Sequence, residues 1–237
     1  LLTQLMCDVY RQQPDPIIAR RIADTIDWLA RDMQLDGGAF AASLDADTEG
    51  EEGRFYVWSK AEISTHLGAA AEAFCAAYGI SEGGNFEGHN IANRLHITRG
   101  PDGEADDEAD FDAARATLLA IRHQRVRPGR DDKILADWNA MAIAALCDAA
   151  ALFDRPDWAA LAETAFAAMR AALDTAEGGL AHSARNGQRL DLTLAGDLAF
   201  GASAACGLAT LTGNLDYLAV AEGWAAHLQA GFIDTAR

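Results

Sequence analysis

Apolar side chains recur along most of the chain at the spacing of an α-helix. Between residues 15 and 34, successive spacings of four, four, three and four residues join Ile18, Ile22, Ile26, Leu29 and Met33. A second stripe, in residues 136–153, consists of Trp138, Met141, Ala142, Ala145, Ala149, Leu152 and Phe153. A third, in residues 215–232, consists of Leu218, Ala221, Ala225, Leu228 and Phe232. This pattern predicts amphipathic helices, and the abundant alanine allows them to pack closely.

Short turns group these helices into pairs. Pro14, Pro156 and Gly213 lie in or beside the turns at residues 12–15, 154–157 and 212–216. The helices after the last two turns align without gaps, which indicates either a diverged hairpin repeat or a coincidence among alanine-rich helices. The predicted helical hairpins cover residues 1–34, 59–125, 136–174 and 194–232, and we assign all of them to a single domain.

Long connections join the hairpins, at residues 35–58, 80–108 and 175–193. Connections longer than about 12–15 residues are uncommon in compact domains and often carry function. Alternating side chains predict a short strand at residues 54–58, and Ser59 with Glu62 predicts a capping box that starts the next helix. The acidic run 102–110 is expected to be a solvated, mobile stretch. The predicted fold is all-α, an incomplete α/α toroid with short β segments in the inter-hairpin loops; a helical solenoid is the alternative.

Charge and cysteine content narrow the function classes. The chain has 19 Lys and Arg against 36 Asp and Glu, a net charge of −17, which repels phosphate backbones and anionic membranes. We therefore expect neither a nucleic-acid nor a membrane partner. The cysteines lie in apolar helical segments without zinc spacing, so we expect buried free thiols, a reducing cytoplasmic location, no metal site and no cofactor. These cysteines are Cys7, Cys75, Cys147 and Cys206.

The first candidate site is the acidic segment 45–53. It begins like a calcium loop, but Tyr56 stands where an EF-hand needs a bidentate glutamate, so an EF-hand is not predicted. Asp45 or Asp47 can instead be a catalytic carboxylate that pairs with Asp132 or Asp197, with Tyr56 and Trp58 stacking on a sugar. An acidic surface turn explains the same residues, and both interpretations remain open.

Two further segments combine polar residues with turn or cap signals. Residues 130–133 place Arg and Lys beside paired Asp and can orient a substrate, whereas Asp137 can either cap the next helix or join the site. In residues 84–90, glycines let the backbone approach a ligand, or they form a plain turn. His182 can be a general base or a structural histidine.

Together these segments resemble the spermatogenesis-associated protein 20 family of thioredoxin-domain-containing proteins. The resemblance rests on residues 37–40 leading into 45–58, on 84–88, and on 131–135 running into Trp138-Asn139. It implies a thioredoxin-like domain, of which this chain carries no segment, followed by a six-hairpin α/α toroid. That toroid is similar to those of N-acylglucosamine 2-epimerase and many glycosidases. The chain departs from the pattern at Gly196-Asp197, where the resemblance implies an acidic pair.

The leading hypothesis is a carbohydrate-active or carbohydrate-binding toroid domain, either sugar epimerase- or isomerase-like or glycosidase-like. The predicted catalytic residues are Asp45, Asp47, Asp132 and Asp197. The predicted substrate-binding residues are Tyr56, Trp58, Asn85, Glu87, Arg130, Asp131, Lys133, Trp138 and Asn139. The expected partners are a sugar-like small molecule and, because an open toroid exposes apolar helix faces, a second copy of the chain. The alternative is a non-catalytic interaction domain that serves a thioredoxin-like domain.

Overall fold

A computed structural model describes residues 1–95 and 111–232, and helices dominate it. The helices are α1 (Leu2–Gln12), α2 (Pro16–Trp28), α3 (Lys60–Leu67), α4 (Ala71–Ala77), α5 (Asp112–Arg122), α6 (Ala136–Phe153), α7 (Pro156–Leu173), α8 (Ala195–Thr212) and α9 (Asp216–Phe232). The strands are β1 (Ser43–Leu44), β2 (Asp47–Thr48), β3 (Glu51–Glu52), β4 (Arg130–Asp131), β5 (Ile134–Leu135), β6 (Ser183–Arg185) and β7 (Gln188–Leu190). The predicted all-α class with short β segments between helices is confirmed. The acidic run 102–110 lies outside the described residues.

The chain divides into two compact units, whereas the sequence suggested a single domain. The first unit comprises Leu1–Ser43 and Arg130–Arg237, and the second comprises Leu44–Gly129. The second unit has its own apolar cluster, centred on Trp58, Ile63 and Phe74. A separate core of this kind gives the inserted segment a compact structure of its own.

The first unit is built from three helical hairpins, α1–α2, α6–α7 and α8–α9. The first helices of the hairpins, α1, α6 and α8, pack side by side in that order, and each second helix packs on its own partner. Adjacent hairpins of an α/α toroid have this arrangement.

Helix α6 lies at the centre of the first unit, between α1, α7 and α8. Its small and branched apolar residues are buried, Ile143 and Leu146 almost completely. Among the described residues, α6 alone is long and apolar enough to cross a membrane by length and composition, and 56% of it is buried inside the protein. Contact with three neighbouring helices accounts for its apolar composition.

Two of the predicted apolar stripes, on α6 and α9, differ from the buried faces of those helices. Trp138 was assigned to the core face of α6, but it is 50% exposed, because Ala136, Ala140 and Ile143 form that face. On α9 the buried residues are Ala221 and Trp224. The bulky Trp224 packs on Phe166 and so decides which face of α9 is buried, leaving Leu218 and Phe232 partly exposed.

Strands β5, β6 and β7 form a small antiparallel sheet. In the sequence, β5 directly precedes α6, and β7 precedes α8. Ile134 pairs with Ala184, and Ser183 pairs with Leu190. The β6–β7 turn uses Asn186 and Gly187, both at positive φ (52° and 74°), which suits a tight hairpin. The sheet fixes the backbone immediately after His182.

The second unit contains α3, α4 and α5 and the β2–β3 hairpin. The predicted hairpin at 59–125 is thus three helices in the described residues. The predicted strand at 54–58 is wrong: Tyr56 N and Val57 N both donate to Gly53 O (2.7 and 3.1 Å), which makes a turn. Gly53, at a φ of 72°, permits that turn. The predicted capping box of Ser59 and Glu62 is confirmed, and α3 begins at Lys60.

The four cysteines are free thiols, but only three are buried. Burial raises the pKa of the Cys147 thiol to about 12 and that of Cys7 to about 11. The prediction of a buried Cys206 is wrong, because the next residue of α8, Gly207, faces Cys147 and turns Cys206 outward.

Candidate active site

Asp137, His182 and Asp197 come together at the starts of α6 and α8. One ligand atom from each side chain lies within 4.8 Å of the others. Asp137 and Asp197 each occupy the first helical turn, and His182 directly precedes β6. His182 O accepts a hydrogen bond from Ala136 N (2.9 Å), which ties the histidine backbone to the start of α6.

Asp197 is completely buried, and both of its carboxylate oxygens have partners. Oδ2 accepts a hydrogen bond from Leu194 N (2.8 Å), and Oδ1 lies 3.0 Å from Nδ1 of His182. Burying a carboxylate is costly unless hydrogen bonds or charges compensate it. A carboxylate oxygen accepts, so the tautomer that suits this contact carries its proton on Nδ1 and leaves Nε2 as the ring nitrogen that can meet a ligand.

His182 and Asp137 remain accessible enough to react with a ligand. The His182 side chain is 25% exposed, and Asp137 is half-buried. Asp137 also accepts a hydrogen bond from Trp138 N (2.8 Å) at the start of α6, where the helix dipole favours a negative charge. An oriented imidazole beside a carboxylate can transfer protons to and from a bound molecule.

The same three side chains are of the types that bind divalent cations. The expectation of no metal site rested on the absence of zinc spacing around the cysteines, and these three residues lie in different segments of the chain. Two exposed aromatic residues lie near this cluster in sequence: Trp138 follows Asp137, and Phe200 lies one turn after Asp197.

The predicted site residues of the 130–133 segment are paired with one another. Arg130 Nε donates to Asp132 (2.6 Å), and Lys133 Nζ lies 3.0 Å from Asp131. The hydrogen bond from Lys133 lowers the pKa of Asp131 below its ordinary value. Arg130 also donates to the backbone carbonyl groups of Asp32 and Gln34, so the segment braces the first unit.

Asn139 is buried and bonded to backbone groups. Its Oδ1 accepts from Phe40 N (2.7 Å), and its Nδ2 donates to Phe40 O and Leu135 O (both 3.0 Å). Through these hydrogen bonds the side-chain amide of Asn139 holds the backbone at Phe40 against the start of α6. The predicted role of Asn139 in substrate binding remains a prediction.

The other predicted residues belong to the second unit. Asp45 and Asp47 are exposed, and Asp45 Oδ1 accepts from Asp47 N (3.2 Å). Trp58 is 5% exposed, with the Arg125 guanidinium 4.0 Å from its ring centroid. Tyr56 is half-buried in contact with Phe55.

Asn85 and Glu87 lie in the 84–90 loop of the second unit. Asn85 makes hydrogen bonds with the N–H and carbonyl of Ile91 (2.8 and 3.0 Å), which hold the loop together. Glu87 is exposed and at positive φ. The calcium-loop-like segment is a β-hairpin that turns at Glu49-Gly50.

Of the three clustered residues, only Asp197 was among the predicted catalytic residues. Asp137 was interpreted as a cap or site residue and His182 as a base or structural residue. The signal available in the sequence was the position of each acid in the first turn of a helix. The pairing of β5 with β6, which brings His182 to the same place, was not predicted.

Comparisons with known proteins do not assign a family. No protein-family model matches the chain, and no curated protein matches it. Among solved structures, the Lin0763 protein from Listeria innocua is 12% identical, with a TM-score of 0.44 over 99% of this chain and 58% of that chain. A sugar epimerase from a ruminal bacterium is 11% identical, with a TM-score of 0.40 over 98% of this chain and 75% of that chain. These comparisons give no support to the resemblance to the spermatogenesis-associated protein 20 family.

Proposed function

We propose that the chain is a carbohydrate-active domain that acts by proton transfer, as a sugar isomerase or epimerase does. One observation carries this proposal: the buried Asp197 carboxylate is bonded to Nδ1 of His182, with Asp137 close to both. A histidine held in this way can act as a positioned general base.

Each residue then has a distinct role. His182 Nε2 removes a proton from the carbon next to a sugar carbonyl, which leaves an enediolate. The protonated His182 then returns the proton to carbon or oxygen, and Asp137 accepts a hydrogen bond from a substrate hydroxyl. Asp197 is a positioning residue that fixes the imidazole tautomer. Trp138 and Phe200 provide exposed aromatic surfaces of the kind that stack on sugar rings.

Glycoside hydrolysis has less support from the same geometry. It needs two carboxyl groups that both reach the glycosidic bond. Asp197 is completely buried and engaged through both oxygens, so it cannot contact a substrate without leaving His182 and Leu194.

The alternative of a non-catalytic interaction domain has one observation in its favour. The carboxylates of Asp131 and Asp132 are paired with Lys133 and Arg130, as expected for a structural brace. If the chain serves a thioredoxin-like domain, it does so without turning over any sugar.

The test is exchange of carbon-bound hydrogen with solvent. The chain is incubated in D₂O with aldoses, ketoses and N-acylhexosamines, and loss of the proton signal next to the carbonyl is followed by NMR. We expect exchange with at least one sugar, and a loss of about 100-fold or more in His182→Gln, the range of general acid–base catalysis.

Asp157→Asn is the matched control, since it removes an exposed first-turn acid of the same unit that lies outside the cluster and outside the predicted site residues. It should exchange at the parent rate, and circular dichroism should show that all variants are folded. Exchange that persists unchanged in His182→Gln, or no exchange with any sugar, would sink the proposal and favour the interaction domain.

A further inference from the structure

A cavity of about 960 Å³ lies in the second unit, among residues that the proposed function does not use. It is lined by the β2–β3 hairpin, the loop around Phe86, the start of α3 and the segment after α5. We call it the glutamate cavity, after its acidic residues Glu49, Glu51, Glu52, Glu62 and Glu87. Its basic residues are Arg54 and Arg125, with His89.

The charges of the glutamate cavity are only partly balanced. Arg54 pairs with Glu49 (3.2 Å) and Glu51 (2.9 Å), and Arg125 pairs with Glu62 (3.4 Å). In the described parts of the chain, Glu52 and Glu87 have no ion-pair partner. The cavity is therefore negative and attracts a cation.

Thr48 gives an independent indication of a ligand. It lines the cavity and is 5% exposed, yet within residues 1–95 and 111–232 its Oγ1 has no hydrogen-bond partner. A buried hydroxyl without a partner is costly, and such groups call for a ligand, ion or water that satisfies them.

The distribution of carboxylates distinguishes an organic cation from a metal ion. In the described residues, the only group with three ligand atoms within 4.8 Å is Asp137, His182 and Asp197, so the cavity glutamates do not converge in that way. The volume also fits an organic ligand, since small-molecule sites enclose about 300–1,000 Å³. The half-buried Phe86 ring adds a surface that attracts alkylammonium groups.

We propose that the glutamate cavity binds a linear polyamine, a flexible chain whose ammonium groups are spaced apart. The ammonium groups pair with Glu52 and Glu87, and an N–H donates to Thr48 Oγ1. The proposal goes beyond the proposed function and does not depend on it, since it concerns other residues and another ligand.

Spermidine is the probe, titrated into the whole chain by isothermal calorimetry at about 100 mM NaCl, where long-range attraction is largely screened. We expect saturable binding of one spermidine per chain. The Glu52→Gln/Glu87→Gln variant should bind at least about tenfold more weakly, a change of 1.4 kcal/mol. Absence of saturable binding to the parent chain would overturn the proposal.

The matched control is Glu72→Gln/Glu177→Gln, which removes two exposed carboxylates that do not line the cavity. Its net charge equals that of the cavity variant, and its affinity should stay within about twofold of the parent. An equal loss in both double variants would mean attraction to the net charge alone and would overturn the proposal.

Thr48→Val and Thr48→Ser separate binding from folding. Thr48→Val removes the unpartnered hydroxyl at nearly constant volume, so the unliganded chain should unfold at the parent temperature or above it. Its affinity for spermidine should fall, and Thr48→Ser should restore it. Unchanged affinity in Thr48→Val, or equal loss in both variants, would contradict the assigned role of the hydroxyl.

Discussion

Glu62 concentrates several interactions in one carboxylate at the start of α3. It accepts hydrogen bonds from Ser59 N (2.7 Å) and Ser59 Oγ (2.9 Å), and it lies 3.4 Å from Arg125. Partial burial raises the pKa of Glu62, but the hydrogen bonds from Ser59, aided by Arg125, outweigh burial and lower it below its ordinary value. Because the folded-state pKa is depressed, this contribution to stability is present above the unfolded pKa and is lost as the pH falls through the folded value.

The Glu62→Gln variant tests that linkage. We expect the parent to be more stable at pH 7 by no more than about 1 kcal/mol, since the carboxylate is half exposed and screened by solvent. The difference should narrow as the pH falls below the unfolded-state pKa of about 4.3 and vanish once the folded-state carboxyl is protonated. Urea unfolding at a series of pH values from 7 downward measures it, with the exposed Glu72→Gln on α4 as the control. A difference that stays constant as the pH falls would refute the assignment.

Contacts between individual side chains could be predicted from the sequence only where the two residues are close in the chain. Ser59 and Glu62 lie three residues apart, so their capping box follows from helix geometry. Asp137, His182 and Asp197 are brought together by strand pairing and helix packing, which local patterns do not encode. The exposure of Cys206 likewise depends on which face of α8 meets α6.

At the level of elements, glycines set how closely helices of the first unit approach one another. A Cβ at Gly201 on α8 would lie 2.9 Å from Leu180 Cδ1 and 3.1 Å from Trp224 Cε3. At Gly207 it would lie 3.3 Å from Cys147 Cβ on α6. Real Cβ atoms essentially never come as close to a neighbour as the 2.9 Å to Leu180 Cδ1. The close packing of Leu180 and of Trp224 on α9 against α8 therefore requires glycine at position 201.

Gly201→Ala should therefore destabilise the protein by about 1–3 kcal/mol, the usual cost of overpacking a core. This overcomes the gain of up to about 1 kcal/mol that alanine brings to a helix interior. Gly223→Ala on α9 is the control, because a Cβ there meets nothing within 4 Å. It should be neutral or stabilising in the same urea titration, and equal stability of the two variants would contradict the packing argument.

The hairpins themselves were predictable because proline and glycine turns punctuate a strong helical pattern. α6, α7, α8 and α9 begin and end within a few residues of their predicted bounds. The buried face of α9 was not predictable from its stripe, since alanines and leucines occur all around that helix. The contact of Trp224 with Phe166 decided it, and that contact joins two hairpins.

For the whole molecule, two features have opposite effects on the association of copies: a large net charge and an exposed apolar surface. The chain carries −17 at pH 7. On α1, Leu2, Leu5 and Val9 are 69%, 58% and 43% exposed, and they lie at helical spacing along one side. Apolar contact favours association of copies, whereas like charge between copies opposes it. A homodimer therefore remains a prediction, and we expect the association of copies to become more favourable as the ionic strength rises.

Light scattering at fixed protein concentration should show a mass that rises with salt, from a monomer near about 20 mM NaCl toward a dimer near about 500 mM. Over that range the Debye length falls from about 20 Å to a few Å, while apolar attraction persists. Leu5→Glu should hold the chain monomeric throughout, because it places a charge in the apolar face of α1. Leu95→Glu changes an 84% exposed leucine of the second unit in the same way and should leave the association intact. A monomer at every salt concentration would show that α1 is no interface, because screening removes the repulsion. An equal loss of association in both variants would show that the added negative charge, and not the apolar face of α1, governs association.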